Sequence, residues 1–106
     1  MRKELDELVE KYDLINRTFD SFRKSYDNYL TDDITKEEAA EAGFTDKDTI
    51  IPELECYSFV VSKKFSRDYI AVTLECHREG ETLCCITYWV IYDLDGNDYD
   101  DYFVTK

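Results

Sequence analysis

Two runs decide the fold: DYIAVTLECHR over Asp68–Arg78 and LCCITYWVIYD over Leu83–Asp93. Both are dense in β-branched and aromatic residues and are bounded by short breaks, the composition of paired strands. Leu54–Lys64 precedes them and Asp98–Thr105 follows, each of the same character. The breaks Phe65-Ser66-Arg67, Glu79-Gly80 and Asp95-Gly96-Asn97 allow only antiparallel connections. A four-stranded antiparallel meander follows. Taking Glu79-Gly80 as a two-residue loop sets Cys76 opposite Leu83, Leu74 opposite Cys85 and Ile70 opposite Trp89. Those residues, with Val72 and Ile91, are expected to face the helices. Tyr69, Thr73, His77, Ile86, Tyr88, Val90 and Tyr92 then share the far face, which is too aromatic for ordinary solvated surface. That face is expected to lie under the 31–52 segment, against another copy, or against a target.

Upstream of the strands the period changes. Leu5, Leu8, Val9, Tyr12, Ile15, Phe19, Phe22, Tyr26 and Tyr29 recur every three or four positions, which predicts one apolar stripe on a helix over residues 2–30. Such a helix is about 40 Å long, more than a small four-stranded sheet covers. It is expected either to break near Asn16-Arg17-Thr18 or to project and meet a second copy. Thr31-Asp32-Asp33 ends it. Thr35-Lys36-Glu37-Glu38 reads as a capping box opening a short second helix, and Gly43 stops that helix. Phe44 and the pair Ile50-Ile51 are expected to pin this connection to the core. The predicted architecture is therefore α+β: a long N-terminal helix and a short second helix packed on the meander. All 106 residues form one domain in this reading, with 1–30 the long helix, 31–52 an acidic connection and 53–106 the sheet.

Composition narrows the function. The chain is 43% hydrophobic, enough for a core despite 36% charged residues. Thirteen Lys and Arg against 25 Asp and Glu leave a net charge of −12, which makes nucleic acid and anionic membranes poor direct partners. A basic protein surface is the partner such a charge fits. The charge is uneven: residues 31–55 hold −7 and residues 93–106 hold −4, while residues 56–92 are neutral. The N-terminus lacks the apolar core of a signal peptide, and the longest apolar-rich run, Leu83 to Tyr92, is too short to span a bilayer as a helix. A cytoplasmic protein is expected. Cys56, Cys76, Cys84 and Cys85 form no CxxC pair and read as reduced, packed thiols.

Chemistry-bearing patterns are sparse. Asp93-Leu94-Asp95-Gly96-Asn97-Asp98 departs from a calcium loop, with its Gly at the fourth loop position and Val104 at the twelfth, and an Asp-Gly hairpin turn accounts for it. His77, the single histidine, has only Glu75 nearby on its strand face and reads as a hairpin-end residue. A zinc site of the cysteines with His77 would need distant strands to converge. There is no GxSxG, P-loop or GxGxxG. No catalytic residue, cofactor or metal is assigned, and an enzyme is not expected.

The two acidic blocks remain. Asp32, Asp33, Glu37, Glu38 and Glu41 make the first; Asp93, Asp95, Asp98, Asp100 and Asp101 make the second, interleaved with Tyr99 and Tyr102. Alternate strand residues lie about 6.6 Å apart on one face, a repeat like successive phosphates on a strand, and tyrosines supply rigid contact area. A solvated face kept for solubility is the competing reading. In size, acidity and tyrosine content the chain resembles small phage-encoded inhibitors, anti-CRISPR proteins in particular. That resemblance implies a stoichiometric inhibitor in the host cytoplasm that occupies the guide- or DNA-binding groove of an RNA-guided nuclease, with the acidic blocks carrying the contact. The chain is also similar in type to immunity proteins, which neutralise cationic nuclease toxins. A long helix before a meander resembles cystatin-like folds, which implies a ligand held between helix and sheet. A homodimer through the stripe or the aromatic face is a further alternative.

Overall fold

The computed structural model describes residues 2–45, 49–64 and 67–106. Three helices, α1 (Arg2–Lys11), α2 (Leu14–Thr31) and α3 (Lys36–Glu41), precede four strands, β1 (Ile50–Ser62), β2 (Arg67–Arg78), β3 (Cys84–Tyr92) and β4 (Asp98–Thr105). The strands form one antiparallel sheet in the order β1-β2-β3-β4, the meander that the short turns predict. The helices lie on one face of this sheet, so the α+β architecture stands.

The long helix is two helices, and the break falls at Tyr12-Asp13 rather than near Asn16-Arg17-Thr18. Asp13 adopts φ 53°, ψ 43°, a left-handed conformation that a short polar side chain tolerates better than most residues. Asn16 Nδ2 donates to Asp13 Oδ1 at 2.9 Å and holds the bend. Tertiary contact fixes its position. Arg17 Nη1 donates to the carbonyls of Tyr12 (3.3 Å) and Gly96 (2.7 Å), tying the elbow to the β3–β4 turn. Gly96 has φ +84°, and a Cβ there would overlap the Tyr12 ring, so this turn needs glycine twice over.

At the other end of α2 the capping-box expectation fails. Thr35 makes no cap; its hydroxyl donates back to the Tyr29 carbonyl at 2.9 Å. Asp32 does the connecting instead. Its backbone N–H donates to the Asn28 carbonyl, its own carbonyl accepts from Thr35 and Lys36, and its Oδ1 accepts from the Ile34 N–H. Gly43 stops α3 as predicted, at φ +85°. The Gly43 N–H donates to Ala40 and the Phe44 N–H to Ala39, the bonding of a Schellman motif. Phe44 is thereby delivered into the core, edge-on to Tyr26 and Tyr29. Of the pair expected to pin this connection, Ile50 packs against the same core.

The β2–β3 register differs from the expected one by three residues. Ile70 pairs with Tyr92, Leu74 with Tyr88, and Cys76 with Ile86. Because strand side chains alternate, an odd shift turns β3 over. Ile86, Tyr88, Val90 and Tyr92 go into the core, and Trp89 and Ile91 go to the far face. The turn runs longer than two residues, leaving Leu83 82% exposed, and a register irregularity after Cys76 sets His77 opposite Cys84. Hydrogen-bond partners favour this choice, because α2 and β4 between them satisfy both tyrosine hydroxyls that β3 turns inward. Tyr92 Oη meets Thr18 Oγ1 at 2.8 Å, while Tyr88 Oη donates to Asp101 Oδ2 at 2.8 Å. Each such bond avoids a desolvation cost of about 1–3 kcal/mol.

The core is one cluster between α2 and the sheet. Phe22 contacts Tyr88 edge-on and stacks on Phe103, with Leu14, Ile70, Val72 and Leu74 closing around them. Full burial of a side chain such as Phe22 contributes about 2–3 kcal/mol. β1 begins at Ile50, four residues earlier than predicted. Pro52 is tolerated inside it because β1 is an edge strand.

Candidate protein-interaction surfaces

α2 and β4 run side by side. Arg17 Nη2 is 3.9 Å from Asp98 Oδ1, Ser25 Oγ donates to Asp101 Oδ2 at 3.2 Å, and the Tyr29 and Phe103 rings are 4.9 Å apart. At the C-terminal end of α2 this alignment opens a groove of about 400 Å³ lined by Ser25, Asn28, Tyr29, Asp32, Thr35, Glu38 and Phe103. Asp32 and Glu38 come from the first acidic block, and Asp101, from the second, is one hydrogen bond away through Ser25. Asp32 and Glu38 therefore flank a floor formed by the Tyr29 and Phe103 rings, while the Asp101 carboxylate accepts from Tyr88 Oη and Ser25 Oγ and does not line the groove. Burial raises the Tyr29 pKa, and the Glu38 charge raises it further.

The other predicted contact residues separate. Asp33 pairs with Lys36 at 2.9 Å, and Glu37 and Glu41 stand exposed on α3. Asp93 is taken up by its own turn: it accepts from the N–H groups of Asp95 and Asn97 and from Asn97 Nδ2, and the Asn97 backbone bond leads in holding its pKa below the ordinary value. Asp95 is exposed in that turn. Strand alternation divides β4. Asp101 and Phe103 face α2, whereas Asp100, paired with Ile91, and Tyr102, paired with Trp89, face the other way. Tyr99 sits at the register irregularity of β4 under the Arg67 guanidinium, 5.0 Å from its ring centre. The single strip of Asp and Tyr read along β4 is thus two surfaces. Among the described residues of both blocks, only Asp33 and Asp98 have a cation at ion-pair distance.

On the face away from the helices, Trp89 and Tyr102 stack with ring centres 5.1 Å apart and planes 18° apart. Trp89 is absent from the sequence-based site because the assumed register buried it; a three-residue longer connection would have exposed it. His77 pairs with Glu53 of β1 (3.4 Å), not with Glu75, and its Nδ1 lies 3.1 Å from the Arg78 carbonyl. That carbonyl, then Glu53, raises the His77 pKa against a smaller opposing effect of burial. Cys76 and Cys85 are buried, and burial pushes the Cys76 thiol up to about 12. Cys56 is exposed, which corrects the expectation that all four thiols are packed.

The space between helix and sheet, where a cystatin-like fold would hold a ligand, is filled by the rings of Phe22, Tyr88 and Phe103. Among the described residues no group of His, Cys, Asp and Glu is placed to hold a metal ion, and no helix is long and apolar enough to cross a membrane. Comparison with family models, with curated proteins and with solved structures finds no match.

Proposed function

We propose that this protein is an acidic inhibitor that occupies a basic, nucleic-acid-binding surface of a target enzyme. A guide- or DNA-binding groove of an RNA-guided nuclease, as for proteins of the anti-CRISPR type, is the foremost target. The observation that carries the reading is the groove between α2, α3 and β4, where Asp32 and Glu38 of the first acidic block flank an aromatic floor of Tyr29 and Phe103. An arginine or lysine that normally grips a phosphate finds the same charge here, and a flat guanidinium also finds rings to stack on. The uncompensated charge of the two blocks would accelerate encounter with a cationic groove. A cationic nuclease toxin presents the same chemistry.

The test is inhibition of purified enzymes of both kinds, with guide RNA or DNA as competitor. A substitution set Glu37→Lys, Glu38→Lys and Asp98→Lys reverses exposed charge without touching the core. The expected result is stoichiometric inhibition of one class, relieved by excess nucleic acid and lowered at least tenfold by the charge reversals. No inhibition of either class, or inhibition unaffected by the reversals, overturns the proposal.

A further inference from the structure

The face of the sheet opposite the helices is built like an interior. By register, Tyr69 and Thr73 of β2, Trp89 and Ile91 of β3 and Tyr102 of β4 lie on it. Ile91 is only 2% exposed although the helices pack on the other face, so its neighbours on the sheet seal it. Trp89 and Tyr102 hold each other in a stack while still half-exposed. An ordered aromatic layer with one side in water has the composition of an interface centre, where Trp and Tyr concentrate.

Charge selects the occupant. The acidic segments 31–55 and 93–106 hold −7 and −4, whereas 56–92, which supplies most of this face, is neutral. The acidic groove opens beside α2, on the other side of the sheet. Register adds the carboxylates of Glu75 and Asp100 to this face, and Arg67 lies over Tyr99, so a cationic partner gains less here than at the groove, and of the β4 block Asp100 is the acid turned toward a second copy. The area is also adequate. Four strands about 4.8 Å apart and about nine residues long at roughly 3.3 Å each give a patch on the order of 600 Å². Counted on both copies this is about 1,200 Å², the lower end for a specific interface.

We propose that this face docks a second copy of the chain, forming an isologous sheet-on-sheet dimer centred on Trp89 and Tyr102, with both acidic grooves facing outward. The inference is independent of the inhibitor reading, because it uses a different face and needs no target.

Trp89 is the only tryptophan, so its emission reports on this face directly. The experiment is light scattering with size-exclusion chromatography, paired with tryptophan emission, from about 1 µM to about 500 µM, where an interface this small associates. The mass is expected to rise from one chain to two, with a blue shift of Trp89 over the same range. Added salt is expected to strengthen the dimer by screening its net charge, the opposite of its effect on an acidic inhibitor and its basic target. Thr73→Arg, which sets a charge opposite Trp89, should weaken association at least tenfold. Val104→Arg, on the exposed edge strand β4, gives the same readout if Thr73→Arg does not fold. A single-chain mass with concentration-independent emission throughout overturns the proposal. So does a dimer unaffected by whichever variant folds, or an arginine-rich peptide that shifts Trp89 where the chain alone does not.

Discussion

Gly96 joins the two halves of the molecule through a single missing side chain. Its φ of +84° is costly for any other residue, and the Tyr12 ring occupies the space a Cβ would need. Gly96→Ala is expected to destabilise the fold by about 2–4 kcal/mol in chemical denaturation, combining backbone strain with overpacking. Next to it, Asp93 acts as an acceptor for three donors of its own turn, which favours the ionised form. A carboxylate whose folded pKa is lowered contributes stability that is complete above its unfolded value, near 3.8, and is lost as pH falls through the lower folded value. Asp93→Asn is therefore expected to reduce stability at neutral pH while flattening the acid limb below about pH 4, measured by thermal unfolding across pH. Asp93 was read from sequence as a partner contact. In the structure its carboxylate is occupied by the turn, as that of Asp101 is by Tyr88 and Ser25, while Asp32 and Glu38 are the ones placed at the groove.

At the level of elements, the strands, their order and the α3 stop at Gly43 were legible because alternation, short turns and a left-handed glycine are local signals. Three features were not. The α1–α2 break at Asp13 carries no glycine or proline and is fixed by Arg17 reaching the β3–β4 turn, a contact 79 residues away in sequence. Thr35 had the sequence of a cap, yet its hydroxyl donates to the Tyr29 carbonyl and accepts from no N–H of α3. The β2–β3 register depended on one irregularity after Cys76, and that residue decided which aromatic residues were core and which were surface. The acidic blocks were legible as segments; the division of the β4 block by strand alternation and the placing of Asp32 and Glu38 at a groove beside α2 were not. The β1–β2 pairing carries its own test at His77. Its pKa is raised above 6.5, first by the Arg78 carbonyl and then by Glu53, so its contribution holds below pH 6.5 and is lost as pH rises through the folded value. Glu53→Gln is expected to lower the His77 pKa in an NMR titration; an unchanged value would remove Glu53 as a cause.

At the scale of the whole molecule, charge and aromatic surface are segregated. The helix side carries exposed carboxylates beside a ring-floored groove, while the opposite sheet face is mainly aromatic, with Glu75 and Asp100 among its residues. In the proposed arrangement one side engages a basic target and the other a second copy, with opposite dependence on salt. β4 is also an edge strand, and its aspartates discourage strand pairing with unrelated chains.

The most direct test of the inhibitor proposal is calorimetric titration of the protein into a purified RNA-guided nuclease at about 50 mM and about 500 mM salt, where the screening length falls from roughly 14 to 4 Å. The expected result is a one-to-one complex per acidic groove that weakens at least tenfold at high salt and is lost in the Glu37→Lys, Glu38→Lys, Asp98→Lys protein. Binding that is insensitive both to salt and to the charge reversals, or no binding at low salt, would contradict it.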